Sequence, residues 1–96
     1  MGTHAMHDWS LVKLAVDWAA GDVQIDLKSP VGPKSVVARE LKSLVVPYER
    51  PWGPSTSING ATGPSAAENG LSRLTIEMQS GDLIQIVAGK FQMPAD

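Results

Sequence analysis

Leu74-Thr75-Ile76-Glu77-Met78-Gln79-Ser80-Gly81-Asp82-Leu83-Ile84-Gln85-Ile86-Val87-Ala88 is the stretch on which the fold turns. Leu74, Ile76 and Met78 alternate with Thr75, Glu77 and Gln79, and Ile84, Ile86 and Ala88 resume the apolar series beyond Ser80, Gly81 and Asp82. A period of two places successive side chains on opposite faces, so each half reads as a strand buried on one side and the break as a hairpin turn. Matching the apolar faces then sets the register. With residues 80–82 as a three-residue loop, Met78 should face Ile84, Ile76 should face Ile86 and Leu74 should face Ala88. A two-residue loop would set Ile76 against Gln85 and turn half of the apolar residues outward. Phe91 and Met93 read as an extension of the second strand.

The same period appears near the other end of the chain. Val12, Leu14, Val16 and Trp18 alternate with Lys13, Ala15 and Asp17, and after residues 19–22 the series resumes at Val23, Ile25 and Leu27. Setting Trp18 opposite Val23 brings Val16 to Ile25 and Leu14 to Leu27 on one face, a hairpin consistent with itself. Both hairpins turn at a Gly-Asp pair, Gly21-Asp22 and Gly81-Asp82. That echo belongs to turn chemistry and does not indicate an internal duplication.

Between the hairpins lie three segments of different character. Residues 29–33, Ser-Pro-Val-Gly-Pro, are a turn cluster, because proline fixes φ and lacks an amide donor while glycine admits positive φ. Residues 35–46 can be read two ways. Val37, Leu41, Leu44 and Val45 have helical spacing, whereas residues 35–38 and 44–46 are rich in β-branched side chains and end at Pro47. The second reading is preferred, as two short strands or one strand bent by a bulge near residues 41–43. Residues 51–70 hold four glycines, three prolines and the single charge of Glu68, which reads as a long loop. One helical turn is expected within it, from Ser65 through the capping partner Glu68 to Asn69 and Gly70.

Together these segments describe a mainly β protein: a small antiparallel sandwich or partly open barrel of about six strands, with one long Pro/Gly/Ser-rich loop. Ninety-six residues, 43% of them hydrophobic, suffice for one core and one domain, taken as residues 6–96. Residues 1–5 have no periodicity and precede a second methionine, Met6. They are expected to be either an added leader or a disordered N-terminus, and His4 is expected to carry no function. An edge strand should also be left open, since neither residues 35–38 nor residues 44–46 carry a protecting charge, and self-association is expected through an edge strand or an apolar face.

Composition narrows the function classes. The sequence has no cysteine, which removes disulfides, thiol nucleophiles and thiolate metal sites. Its net charge of −2 is split as about zero over residues 1–50 and −2 over residues 51–96, a poor match for a nucleic-acid partner. No apolar run approaches a membrane span, so no membrane is expected as a partner and a cytoplasmic location is. No cofactor is implied.

Three stretches are distinctive: Met6-His7-Asp8-Trp9, then Pro51-Trp52-Gly53-Pro54-Ser55 running into Ser57-Ile58-Asn59, and Ile76-Glu77-Met78-Gln79-Ser80-Gly81-Asp82. In them the chain resembles a family of small uncharacterised bacterial proteins, over nearly its whole length from Met6. The resemblance brings no activity, cofactor or catalytic residue with it. In strand spacing alone the chain also resembles the small β-rich immunity proteins that neutralise bacterial toxins.

Trp52 is the leading candidate for a binding residue. Its backbone is stiffened by the flanking prolines, and Ser55, Ser57 and Asn59 follow with groups that donate and accept hydrogen bonds. An aromatic face beside neutral polar groups suits a sugar, a peptide or another small polar ligand. The competing reading is that Trp52 plugs one end of the core while the polar residues serve the loop backbone. His7, Asp8 and Ser10 are too close in sequence for a catalytic triad, so His7 is expected as a surface group, with Asp8 or Ser10 capping the start of the first strand. A metal site built from His7 with Asp8, Asp17 or Glu77 is not expected. The resulting expectation is a non-enzymatic protein-binding or homodimeric module without catalytic residues. The alternative is a β domain with a small-molecule or carbohydrate site, with or without catalysis, under the Trp52 loop.

Overall fold

Both alternating segments form antiparallel hairpins, and the computed structural model, which describes residues 6–48 and 56–94, joins them into one sheet. Its strands are β1 (Ser10–Asp17), β2 (Asp22–Ser29), β3 (Gly32–Val45), β4 (Ile58–Ala66), β5 (Ser72–Met78) and β6 (Leu83–Gln92). They lie in the order β1-β2-β3-β6-β5-β4, every neighbour antiparallel. The expected mainly β, six-stranded antiparallel domain is therefore what the chain forms, as one sheet rather than two stacked ones. The sheet curls until the beginnings of its two edge strands touch, through a single bridge between Ser10 and Ser57. Leu11 N–H donates to Thr56 O at 3.0 Å and Ile58 N–H to Trp9 O at 2.8 Å. Among the described residues no ladder continues from there between β1 and β4, and the sheet does not close into a barrel.

One face of this sheet wraps the core. Val23, Ile25, Val36, Ile58, Leu74, Ile76, Met78, Ile84 and Ile86 are fully buried, drawn from β2 through β6, and Leu11 and Met6 seal one end. The alternation that identified the hairpins is the signature of this one-sided burial. Nearly all of the deeply buried side chains sit on inner strands because only those strands have neighbours on both sides.

The registers differ from expectation by two residues in both hairpins. Val16, not Trp18, lies opposite Val23, with Leu14 opposite Ile25 and Leu11 opposite Leu27. In the second hairpin Ile76 lies opposite Ile84 and Leu74 opposite Ile86. A shift of two keeps every side chain on its face, so the hydrophobic pattern could not distinguish the registers. Glycine did. Gly21 has φ +74° and Gly81 φ +97°, each in the last position of its loop. Gly81 N–H donates to Met78 O at 2.9 Å and Met78 N–H to Asp82 O at 2.9 Å, a tight turn followed by a left-handed residue. That position strongly favours glycine, and the preference moves each loop one residue toward the N-terminus of where apolar matching put it.

Two apolar residues consequently leave the core. Trp18, expected inside, tops the first hairpin with 76% of its surface exposed, and Val12 is 63% exposed. Val12 is the extra residue of a bulge between Leu11 and Lys13, which breaks the alternation of β1 at its first expected inward position.

Residues 35–46 belong to a single long strand, β3, with a register shift between Leu41 and Ser43 against β6, where a bulge was one of the readings. β2 pairs with β3 over Gly32–Ala38 and β6 pairs with it over Val37–Val45, so residues 35–38 are not the open edge expected of them, whereas residues 44–46, past the contact of Leu41 N–H with Gly21 O, have no ladder partner among the described residues on the side away from β6. The outermost strands are β1 and β4. β4 also corrects the reading of residues 51–70 as loop: residues 58–66 pair with β5, and only a 3-10 turn at Glu68–Gly70 follows. Ser65 lies in the strand and does not cap that turn, which begins after Ala67 without a side-chain cap. β4 escapes the period-two reading because it shifts register twice, between Ile58 and Gly60 and between Thr62 and Ser65, around a cis Gly63-Pro64 bond.

Candidate interaction surfaces

The described residues of the three distinctive stretches, 6–9, 57–59 and 76–82, meet at one place, where β1 and β4 begin and β5 ends. Asp8 N–H donates to Ile58 O at 2.9 Å, and the Gln79 amide nitrogen donates to Asp8 Oδ1 at 2.8 Å. Gln79 N–H donates to Ser57 O at 3.0 Å. His7 Nδ1 lies 2.7 Å from Asn59 O, which accepts only, so this nitrogen carries the proton. Asn59 Nδ2 in turn donates to Glu77 Oε1 at 3.3 Å. The result is a shallow polar seam that ties residues 6–9 to the sheet. With Met6 only 6% exposed beneath it, the start of the described chain is packed rather than frayed.

His7 is exposed, as expected, and its Nε2 stands 3.5 Å from Asp8 Oδ2. Asp8 does not cap β1; its carboxylate reaches across to Gln79. Ser10 instead forms the bridge to Ser57. Among the described residues no group of three or more His, Cys, Asp or Glu side chains could hold a metal ion. Of the proposed ligand-binding set, Trp52 and Ser55 lie outside the described residues. Ser57 and Asn59 are both engaged in the seam, and neither lines either of the two concavities described below.

Those concavities lie elsewhere. An open groove of about 860 Å³ crosses the outer face of β2 and β3, with Val12, Val37, Met93 and Pro94 as its apolar lining and Asp26, Lys28 and Lys34 at its margins. A smaller one of about 300 Å³ sits beside Leu11, Val12, Lys13 and Leu14, facing Val46 and Tyr48. Val12 borders both, so the bulge that expels it also places it on the surface between them.

The edge of β1 is the other exposed feature. Asp17 O accepts from Gly21 N–H at 2.8 Å inside the first hairpin turn, so the main-chain groups of Asp17 face β2. Alternation turns those of Ala15 and Lys13 the same way and those of Leu14 and Val16 outward. Among the described residues nothing pairs with β1 on that outward side beyond Leu11. Lys13, Ala15 and Asp17 are exposed, while Leu14 and Val16 pack partly against the core. The edge keeps a continuous register with β2 from Lys13 to Asp17 and has an exposed apolar side chain at each end, Val12 and Trp18. The period-two pattern places both residues on the core face and so hides this surface. The signal that could have found it was Gly21, whose demand for the last loop position pushes Trp18 into the turn.

Among the described residues no helix is long and apolar enough to cross a membrane. No known protein family matches the chain, and comparison with curated proteins and with solved structures finds no match.

Proposed function

We propose that this protein is a non-enzymatic interaction module of the cytoplasm that binds an extended polypeptide segment along the edge of β1. One observation carries the reading: an edge with outward main-chain groups at Leu14 and Val16, flanked by Val12 at 63% and Trp18 at 76% exposure. An unpaired edge supplies the hydrogen bonds for strand addition, and exposed apolar side chains at its ends supply pockets and anchors. Tryptophan is among the side chains that most often dominate such contacts. A cysteine-free chain needs no oxidising compartment to fold, which suits the cytoplasm.

The test uses a displayed library of random ten-residue peptides selected on the intact protein, with binding mapped by amide chemical shifts. Selected peptides should shift the amides of Leu14 and Val16 and slow their hydrogen exchange, with smaller shifts at Trp18. Peptides that bind while leaving the β1 amides untouched, or a selection that yields no binder, would overturn the reading.

A further inference from the structure

The partner that best fits the β1 edge is a second copy of the same edge. We infer that two copies pair antiparallel through β1 about a two-fold axis at Ala15, and this rests on the strand-addition reading just given. The register follows from hydrogen-bond parity and charge. In an antiparallel pair, residues whose main-chain groups face the partner must lie opposite one another, so Leu14 and Val16 can oppose only each other or themselves. Centring the axis on Leu14 sets Lys13 against Ala15, and centring it on Val16 sets Asp17 against Ala15. Centring it on Ala15 sets Leu14 against Val16 and Lys13 against Asp17, on both sides of the axis. Only this arrangement pairs the two charges of the strand with opposite charges.

Other features favour the same arrangement. Residue pairs that share no main-chain hydrogen bonds bring their Cα atoms closest, to roughly 4.5 Å, and here such a pair falls on the axis. Ala15, small and exposed, is the residue that meets itself there. Each Leu14-Val16 pair exchanges two main-chain bonds, giving about four across the axis. The ends match as well: Val12 of one copy lies alongside Trp18 of the other, so each exposed apolar side chain is covered by its counterpart. A closed two-fold interface uses up the edge, whereas an unpaired edge would invite open-ended association. β4 offers no equivalent, since its two register shifts and Pro64 interrupt any straight ladder. The interface is short, of the size class of weak and transient complexes, so the dimer should assemble at micromolar to high-micromolar concentrations.

Charge inversion tests the register in the full chain, because Lys13 and Asp17 are exposed; Asp17 Oδ1 also accepts from Ala20 N–H at 3.1 Å in the hairpin turn, so circular dichroism and thermal melting must show each variant folded, and Asp17→Asn, which keeps that acceptor and removes the charge, should weaken the dimer as well. Wild-type protein should sediment as a concentration-dependent dimer. Lys13→Asp alone and Asp17→Lys alone each place like charges opposite one another twice, and each should weaken the dimer about tenfold or more. An equimolar mixture of Lys13→Asp with Asp17→Lys should recover association as a heterodimer, and the double variant should recover it as a homodimer. A dimer indifferent to these inversions, or a mixture that fails to associate, would overturn the register. A wild-type chain that stays monomeric at high micromolar concentration would overturn self-pairing. If that monomer still bound displayed peptides at Leu14 and Val16, the strand-addition reading would stand without it; if it bound none there, both would fall.

Discussion

β1 and β4 are the two edges of one sheet and have little else in common. β1, Ser-Leu-Val-Lys-Leu-Ala-Val-Asp, alternates cleanly after one bulge and leaves main chain in continuous register exposed from Lys13 to Asp17. β4, Ile-Asn-Gly-Ala-Thr-Gly-Pro-Ser-Ala, is interrupted by glycines, a proline and two register shifts. Irregularity of that kind is how natural sheets prevent unwanted pairing. The proposed partner edge is thus the regular one of the two, and the same difference explains why β1 and not β4 is visible as a strand to a reading based on period.

If β4 owes its place to packing and close fit, substitutions there should cost most. Ile58, fully buried where β4 begins, should lose about 2–5 kcal/mol on Ile58→Ala, read by urea unfolding. A loss under 1 kcal/mol would mean that β4 is not held by this contact. Gly63 should come next. A Cβ there would stand 2.5 Å from the Arg73 carbonyl oxygen at a φ of +101°, so Gly63→Ala should cost about 1–3 kcal/mol in the same measurement. An unchanged midpoint would show that the two strands can separate without penalty.

On β1 the effects should be smaller. Leu14 packs only partly against the core, and Leu14→Ala should cost about 1 kcal/mol, a fraction of full burial. A cost equal to that of Ile58→Ala would erase the distinction between the edges. Smallest of all should be Trp18→Ser, within about 0.5 kcal/mol in stability for so exposed a side chain. The same variant should reduce association markedly, so stability and self-association respond in opposite proportions on the two edges. Trp18→Ser that unfolds early and associates normally would reverse the assignment of Trp18 from contact to core.

The candidate binding residues illustrate a related limit. Ser57 and Asn59 stand near Trp52 in sequence, yet in the fold Ser57 bridges Ser10 and accepts from Gln79 N–H, and Asn59 links His7 to Glu77. That junction joins His7 to Asn59 and Asp8 to Gln79, pairs separated by 52 and 71 positions. Spacing along the chain cannot reveal such a meeting, although all three stretches involved had been noticed as distinctive.

Period two in residues 12–28 and 74–88, the β-branched character of residues 35–46 and the bulge expected near residues 41–43 belong to the sequence by itself. One-sided burial writes them directly into the order of side chains. The count of about six strands was also legible, though residues 35–46 form the one bent strand of the two readings and β4 supplies a strand where a loop was expected. Tertiary structure decided the rest. It chose between registers that the apolar pattern scores alike, because the left-handed glycine of each loop is a local demand while face matching repeats every two residues. It made a strand of residues 58–66, whose irregular chain acquires ladder partners only when β5 lies beside it. It also made β3 an inner strand and β1 an edge, since neighbours in a sheet are set by how the whole chain wraps its core, which no local pattern encodes.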